Sequence, residues 1–124
     1  MKLVDTSVAV DHLRGDESAT TLLTAMLEDD GLAASEVTRF ELLGGVRDDE
    51  LEALEQFFDA IDWIPVDELV ARTAGALARR YRSGHSGIDD ADYLIAASAV
   101  VVAADLLTTN VRHFPMFVGL QPAY

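Results

Sequence analysis

Cysteine is absent from this chain of 124 residues, and lysine occurs once, at Lys2. Without cysteine the protein can form neither a disulfide framework nor a thiolate site for zinc or an iron–sulfur cluster. Any bound metal ion must therefore be held by oxygen or imidazole donors. The chain also lacks a long apolar run, because its longest such stretch, Tyr93 to Ala104, falls short of the ~20 residues that span a bilayer.

The beginning of the sequence, Met1 to Asp5, does not have the basic and then apolar layout of a secretory signal. We therefore expect a cytoplasmic protein with no membrane segment. Half of the residues are hydrophobic, which excludes a disordered polar chain, and the length suits one domain over residues 1–124.

Acidic residues outnumber basic ones by 22 to 9, and the formal net charge is -13. Two interpretations are open. The acids could form a face that binds a partner, or they could be an adaptation to a salt-rich cytoplasm, where screening makes self-repulsion tolerable. Their spread along the whole chain favours the second, halophilic interpretation, since a partner site would concentrate them.

Hydrophobic patterning predicts strands that alternate with helices. The predicted strands are Met1–Val4, Leu32–Ala34, Trp63–Val66 and Leu106–Thr108. The predicted helices are Val8–Leu13, Ser18–Leu27, Glu36–Val46, Asp48–Ile61, Asp67–Tyr81 and Asp89–Ala104. This alternation predicts an α/β fold with a mainly parallel sheet covered on both faces. The helix over Glu36–Val46 is apolar nearly all round, so we expect it to be largely buried.

Two carboxylates occupy positions that favour a site. Asp5 follows the first strand, and ligands of open α/β sheets bind at the carboxyl ends of strands; alternatively, Asp5 or Thr6 only caps the next helix. Glu41 lies within the apolar helix, where an unpaired carboxylate is costly. It should bind a metal, or else form a salt bridge to Arg39 or Arg14.

Asp92 begins the last apolar helix and, taken alone, is well explained by capping. With Asp89 as N-cap it occupies the third helical position, where an acid favours the helix dipole, and Asp90 is an ordinary first-turn acid. Three carboxylates at strand or helix ends can nevertheless meet in one cleft of a parallel α/β domain. Hard cations such as Mg²⁺ and Mn²⁺ prefer such oxygens, and the set suits phosphodiester hydrolysis.

Other catalytic motifs are missing from the sequence. There is no glycine-rich phosphate loop, no G-x-S-x-G elbow and no H-E-x-x-H pair. His12, His85 and His113 are isolated in sequence, and each is interpreted as a surface or loop histidine.

Four segments together resemble a known family, the PIN-domain ribonucleases, specifically toxins of the VapC type. The segments are Leu3–Ser7, Glu36–Gly45, Asp92–Ala99 and Leu107–Phe114, and the resemblance runs from residue 3 to about residue 120. It implies a PIN-like three-layer α/β/α sandwich that is generally dimeric. It also implies endonucleolytic cleavage of RNA that depends on Mg²⁺ or Mn²⁺.

Site residues follow from the same resemblance. It implies that the metal-binding, catalytic carboxylates are Asp5, Glu41 and Asp92, supported by Thr6, Thr108 and Asn110. Asn110 stands where many PIN domains carry a further acid, and His113 stands where some VapC-like proteins carry one. The fourth ligand is therefore open, and with it the choice between one metal and two.

The partners that the resemblance implies are RNA, a second copy of the chain and a VapB-like antitoxin that occupies the active-site groove. RNA needs a basic path, for which the weak candidates are Arg72, Arg79, Arg82, Arg14 and Arg112. Those on one helix could equally be a solvated face that balances nearby acids. An alternative function is a PIN-fold, partner-binding protein whose nuclease activity is weak or lost.

The charge imbalance leads to the first testable prediction. If the acids are a salt adaptation, transfer from molar to millimolar KCl should lower the melting temperature by several degrees, because screening of their repulsion is withdrawn. Thermal denaturation followed by circular dichroism measures this change. A melting temperature that does not depend on salt would instead favour a discrete acidic binding face.

Overall fold

A parallel sheet of four strands forms the centre of the structure, a computed structural model that describes residues 1–124. The strands are β1 (Lys2–Val4), β2 (Leu32–Ser35), β3 (Asp62–Ile64) and β4 (Asp105–Leu107). Their order across the sheet is β3-β2-β1-β4, and every neighbouring pair is parallel. The register places Leu3 of β1 opposite Ala33 and Leu106, so β1 and β2 are the central strands.

Six helices connect these strands. They are α1 (Thr6–Leu13), α2 (Glu17–Asp29), α3 (Glu36–Gly45), α4 (Leu51–Asp59), α5 (Glu68–Tyr81) and α6 (Asp90–Val101). Two short 3₁₀ turns, Asp48–Glu50 and Val111–His113, complete the structure. Side-chain caps fix several helix starts, as where Asp16, Ser35 and Asp67 each accept a hydrogen bond from a backbone N–H of the first turn.

The hydrophobic core is divided between the two faces of the sheet. Val4 packs into a cluster with residues of α1, α2 and α4, whereas its neighbour Leu3 packs with residues of α6 and β4. Successive side chains of a strand point to opposite faces, so each face is covered by its own helices. The α/β/α sandwich predicted from the sequence is therefore confirmed.

The expectation that Glu36–Val46 is largely buried is wrong. Only Thr38 and Leu42 of α3 are buried, while Phe40 is 75% exposed and Leu43 is 42% exposed. These side chains are exposed because of the position of α3, which lies at the end of the sheet and contacts α1, α6 and β2 on one side. Its other side has no covering element, and an apolar surface there points to a partner.

Several element bounds also differ from the prediction. The predicted helix over residues 48–61 is a 3₁₀ turn followed by the shorter α4, because the side chain of Glu50 accepts a hydrogen bond from the backbone N–H of Arg47 and closes a separate turn. Strand β3 ends at Ile64 before Pro65, which has no N–H to donate to a neighbouring strand. Helix α6 ends at Val101, near Ala103, whose backbone is left-handed at φ 55°. None of the helices has both the length and the apolar character needed to cross a membrane.

The carboxyl ends of three strands open onto the same edge of the sheet. Strand β1 leads directly to Asp5, β2 leads through Ser35 into α3, and β4 leads to Thr108. Parallel α/β sheets bind ligands at this edge. The fold therefore places the residues that follow β1, β2 and β4 around one cleft.

Candidate active site

An open cleft of about 430 Å³ lies at the carboxyl edge of the sheet. Its lining includes the three carboxylates singled out from the sequence, Asp5, Glu41 and Asp92, together with two more, Asp11 and Asp89. These residues come from the end of β1, from α1, from α3 and from the start of α6. The fold therefore brings together three acids that are far apart in the sequence.

Asp5 is buried, with 3% of its surface exposed, and every oxygen of its carboxylate accepts a hydrogen bond. Oδ1 accepts from the backbone N–H of Thr6, so Asp5 caps α1 as well as lining the cleft. Oδ2 accepts from the hydroxyls of Ser7 at 2.9 Å and Thr108 at 2.7 Å. Three donors hold this carboxylate in one orientation and stabilise its charge.

Glu41 is held by a hydroxyl and not by an arginine. The hydroxyl of Thr6 donates to Glu41 Oε1 at 2.7 Å, and because its proton is used there, the hydroxyl of Thr38 donates to Thr6 at 3.0 Å. Arg39, a partner suggested from the sequence, instead binds Glu36 and stacks on Trp63 with its guanidinium carbon 4.1 Å from the ring centre. The salt bridge proposed as the alternative for Glu41 is absent.

Asp92 both caps a helix and faces the cleft. It forms a capping box with Asp89: each side chain accepts a hydrogen bond from the other residue's backbone N–H. Its Oδ2 also lies 3.2 Å from Nδ1 of His113. The pKa of Asp92 is raised from 3.8 to about 6, chiefly by burial and also by the carboxylates of Asp89 and Asp5, while the backbone N–H of Asp89 and the side chain of His113 oppose the rise.

The remaining supporting residues lie beside these carboxylates. Thr108 is fully buried, donates to Asp5 and accepts the backbone N–H of Asn110 at 2.9 Å. Asn110 lines the cleft, where its neutral amide stands among acids. The predicted positions of Thr6, Thr108 and Asn110 at the site agree with this geometry.

None of the five candidate arginines lines the cleft. Arg72 on α5 pairs with Glu68, and Arg82, which follows the end of α5, pairs with Asp90; both pairs fit the alternative of a solvated face. Arg14 lines a neighbouring groove. A role for these arginines in RNA binding stays a prediction.

Two further residues that line the cleft were not among the predicted site residues. His113, interpreted from the sequence as a surface or loop histidine, lies in a short 3₁₀ turn with 41% of its side chain exposed, and it lines the cleft against Asp92. Asp11 was not singled out, although it lies one helical turn after Ser7, a spacing that shares a face. Asp11 Oδ2 also accepts a hydrogen bond from the hydroxyl of Tyr124, and burial together with this carboxylate raises the pKa of that tyrosine.

The composition of the cleft fits a hard divalent cation. Five carboxylates line it, and His113 is the one basic side chain among its lining residues. Such acids repel one another unless a cation lies between them. As the side chains stand, no three of them are placed to hold one ion together. Cation binding therefore requires these carboxylates to draw together.

The fold and the cleft together define an α/β domain with carboxylates gathered at the carboxyl edge of its parallel sheet, and comparison with known proteins identifies the family. The PIN domain model matches residues 2–115, so the chain belongs to the PIN domain family. Ribonuclease VapC19 of Mycobacterium tuberculosis (strain ATCC 25618 / H37Rv) is 64% identical over 125 residues, with both chains fully covered. Ribonuclease VapC10 of the same strain is 43% identical over 124 residues, covering all of this chain and 93% of that protein. A chain of a toxin–antitoxin complex from Klebsiella pneumoniae shares the fold, with a TM-score of 0.84, 22% identity and coverage of 100% and 98%.

The raised pKa of Asp92 leads to a prediction about stability. Between pH 4 and 6 the folded protein retains a proton that the unfolded chain has released, so stability falls as the pH rises through this window. Asp92→Asn should therefore raise the free energy of unfolding at pH 7 by on the order of 1–2 kcal/mol and change it little at pH 4. Because the same change removes a charge from the carboxylates that converge in the cleft, it should also abolish cleavage of RNA.

Urea denaturation at the two pH values measures the stability change, and an RNA cleavage assay measures the loss of activity. Asp90→Asn is the matched control, since Asp90 lies in the same helical turn but outside the cleft. Full activity in Asp92→Asn would show that Asp92 only caps α6 and has no part in cleavage.

Proposed function

We propose that the chain is a metal-dependent endoribonuclease, a VapC-like toxin that hydrolyses RNA phosphodiesters as a single PIN-like domain in the cytoplasm. The observation that carries the proposal is the convergence of Asp5, Glu41 and Asp92 in one cleft at the carboxyl edge of a PIN fold. Full-length similarity to proteins named as ribonucleases supports it. The alternative, a partner-binding protein with lost nuclease activity, requires a reason for an intact carboxylate trio, and the structure offers none.

The metal would be Mg²⁺ or Mn²⁺, held by Asp5, Glu41 and Asp92. When bound, such an ion supplies a Lewis acid for the phosphate and lowers the pKa of an attacking water. The chain's own residues arrange the donors: Thr108 holds Asp5, and Thr6 holds Glu41. Three carboxylates neutralise one divalent ion but not two, so we expect one metal in the RNA-free protein.

The products should be a 5′-phosphate and a 3′-hydroxyl, as expected when water attacks the phosphorus and the 3′ oxygen leaves. The cleft itself repels a polyanion, because five of the 22 acids line it. RNA must therefore gain its backbone contacts outside the cleft, where Arg14, Arg72, Arg79, Arg82 and Arg112 are the candidates. The proposed salt adaptation then concerns the acids that lie away from the cleft.

A VapB-like antitoxin is the proposed protein partner. A groove of about 280 Å³ runs beside the cleft between α1, α3 and α4. Its lining is partly apolar, with Leu13, Leu42 and Leu54, and partly charged, with Arg14, Glu41, Asp49 and Glu50. The groove and the cleft share Val10 and Glu41, so a segment that lies in the groove reaches the carboxylates. An apolar segment with a basic residue at its end would fit both, and the negative charge of the cleft would speed its arrival.

A homodimer is proposed through the α3–α5 patch, which we define as Phe40 of α3 and Val66, which lies just before α5. These side chains are 75% and 42% exposed. Phe40 and Val66 line one shallow groove together with Val37, Ala91 and Leu94. Two chains of charge -13 repel one another, so a contact between copies must bury apolar surface of this kind.

RNA cleavage by the purified protein tests the proposed function. With Mn²⁺ or Mg²⁺ we expect cut RNA with 5′-phosphate ends, and with the chelator EDTA we expect none. Glu41→Gln should reduce the rate at least about 100-fold, since a charged ligand is lost. Glu36→Gln is the control, because Glu36 lies on the same helix but pairs with Arg39 outside the cleft.

Two further results would complete this test. Sequencing of RNA ends after expression would identify the target, and the product of a neighbouring antitoxin-like reading frame should inhibit the cleavage. If the parent protein binds that partner but cuts no RNA with either metal, the proposed nuclease is wrong and the partner-binding alternative is correct.

The dimer proposal has its own measurement. Phe40→Asp should convert a dimer to a monomer in light scattering, because a charge at the centre of the α3–α5 patch must be desolvated on association. Leu27→Asp is the matched control, since Leu27 is exposed on α2, away from the patch. A parent protein that is monomeric at micromolar concentration would contradict the proposal.

A further inference from the structure

The segment that follows the second 3₁₀ turn runs from one face of the sheet to the other. Phe117 packs against the cluster that contains Leu3, on the side of α6. Ala123 packs against the cluster that contains Val4, on the opposite face. Between these faces lies the carboxyl end of β4, where the backbone N–H of Ala123 donates to the carbonyl of Thr108 at 2.9 Å. The segment therefore crosses the edge of the sheet beside the cleft.

The side chain of Tyr124 is held at the rim of that cleft. Its hydroxyl donates a hydrogen bond to Oδ2 of Asp11, an acid that lines the cleft. Burial, this hydrogen bond and the charges of Asp11 and Asp16 raise the pKa of the phenol, so it keeps its proton and remains a donor. Residues 120–124 belong to no helix or strand. Hydrogen bonds through Ala123 and Tyr124 therefore fix this part of the chain beside the cleft.

The ring of Tyr124 is accessible to a ligand, because the residue is 41% exposed although its hydroxyl is bound. The residues that line the cleft include no phenylalanine, tyrosine or tryptophan. Tyr124 therefore adds an aromatic surface that the cleft itself lacks. A ring that is held through its hydroxyl keeps one orientation, so little conformational entropy is lost when a ligand packs against it.

The charges around Tyr124 decide which part of an RNA chain can approach it. Negative charge from Asp11 and Asp16 acts on its phenol, and no lysine or arginine lines the cleft. Phosphates are therefore repelled at this rim. A nucleobase carries no charge, and its flat face stacks on aromatic side chains largely regardless of sequence.

We propose that Tyr124 is an RNA-binding residue whose ring stacks with a base of the substrate at the rim of the cleft. The proposal rests on the cleavage of RNA proposed above and adds a contact that needs no arginine. The groove proposed for the antitoxin is lined by neither Tyr124 nor Asp11, which favours RNA over the protein partner as the ligand of this ring.

Binding of RNA to Tyr124 variants tests this proposal. The probe is a short single-stranded RNA of random sequence with a fluorescent label, and each protein also carries Glu41→Gln so that the probe stays uncut. Tyr124→Ala should raise the Kd about tenfold, because one stacked base is lost. Tyr124→Phe should recover most of this loss, since the ring remains and only the hydrogen bond to Asp11 is removed. Gln121→Ala is the matched control, as Gln121 is exposed in the same segment.

Photochemical cross-linking supplies a second readout that needs no change at Tyr124. With 5-iodouridine in the same RNA, irradiation should join a base to Tyr124, and mass spectrometry locates the product on the peptide that contains it. RNA that cross-links only elsewhere on the chain would overturn the proposal even if the alanine variant fails to fold.

The remaining outcomes separate this contact from the proposed function. An unchanged Kd in Tyr124→Ala, or a Tyr124→Phe variant as weak as the alanine variant, would overturn stacking and leave the proposed nuclease intact. Weaker binding of the antitoxin alone would assign the ring to the protein partner instead. A parent protein that neither binds nor cuts RNA would overturn the proposed function together with the role of Tyr124.

Discussion

Repulsion among carboxylates is the constraint on which the site depends. Five acids line one cleft at the sheet edge, and the fold supplies no lysine or arginine there to balance them. Hydroxyls do this work instead: Ser7 and Thr108 hold Asp5, and Thr6 holds Glu41. A hydroxyl stabilises a carboxylate by a hydrogen bond without neutralising it, so the charge stays available for a cation.

This choice of partners separates two kinds of acid in the molecule. On the surface, Glu36, Glu68 and Asp90 pair with arginines, and their charge is locally cancelled. In the cleft, no carboxylate has such a partner. Pairing with arginine is therefore found on the surface and not in the cleft, although most of the 22 acids of the chain have no such partner.

The sequence predicted the fold and the main carboxylates because both depend on local signals. Hydrophobic periodicity indicates the alternation of strands and helices. Asp5 and Asp92 lie at the ends of such elements, where sequence patterns are informative. The place of Asp11 in the cleft and the contact of His113 with Asp92 could not be predicted in that way, because both depend on how segments distant in sequence come together. The exposure of Phe40 could not be predicted for a related reason, because an exposed apolar residue gives the same hydrophobic pattern in the sequence as a buried one.

The capping box between Asp89 and Asp92 links the cleft to a helix end. The carboxylate that closes the first turn of α6 is also one that faces the cleft, and the backbone N–H of Asp89 donates to it at 3.2 Å. Anything that draws Asp92 towards the cleft competes with that backbone donor. The amide proton of Asp89 is therefore a natural spectroscopic reporter, whose chemical shift and exchange rate would register a change at Asp92 without any label in the cleft itself.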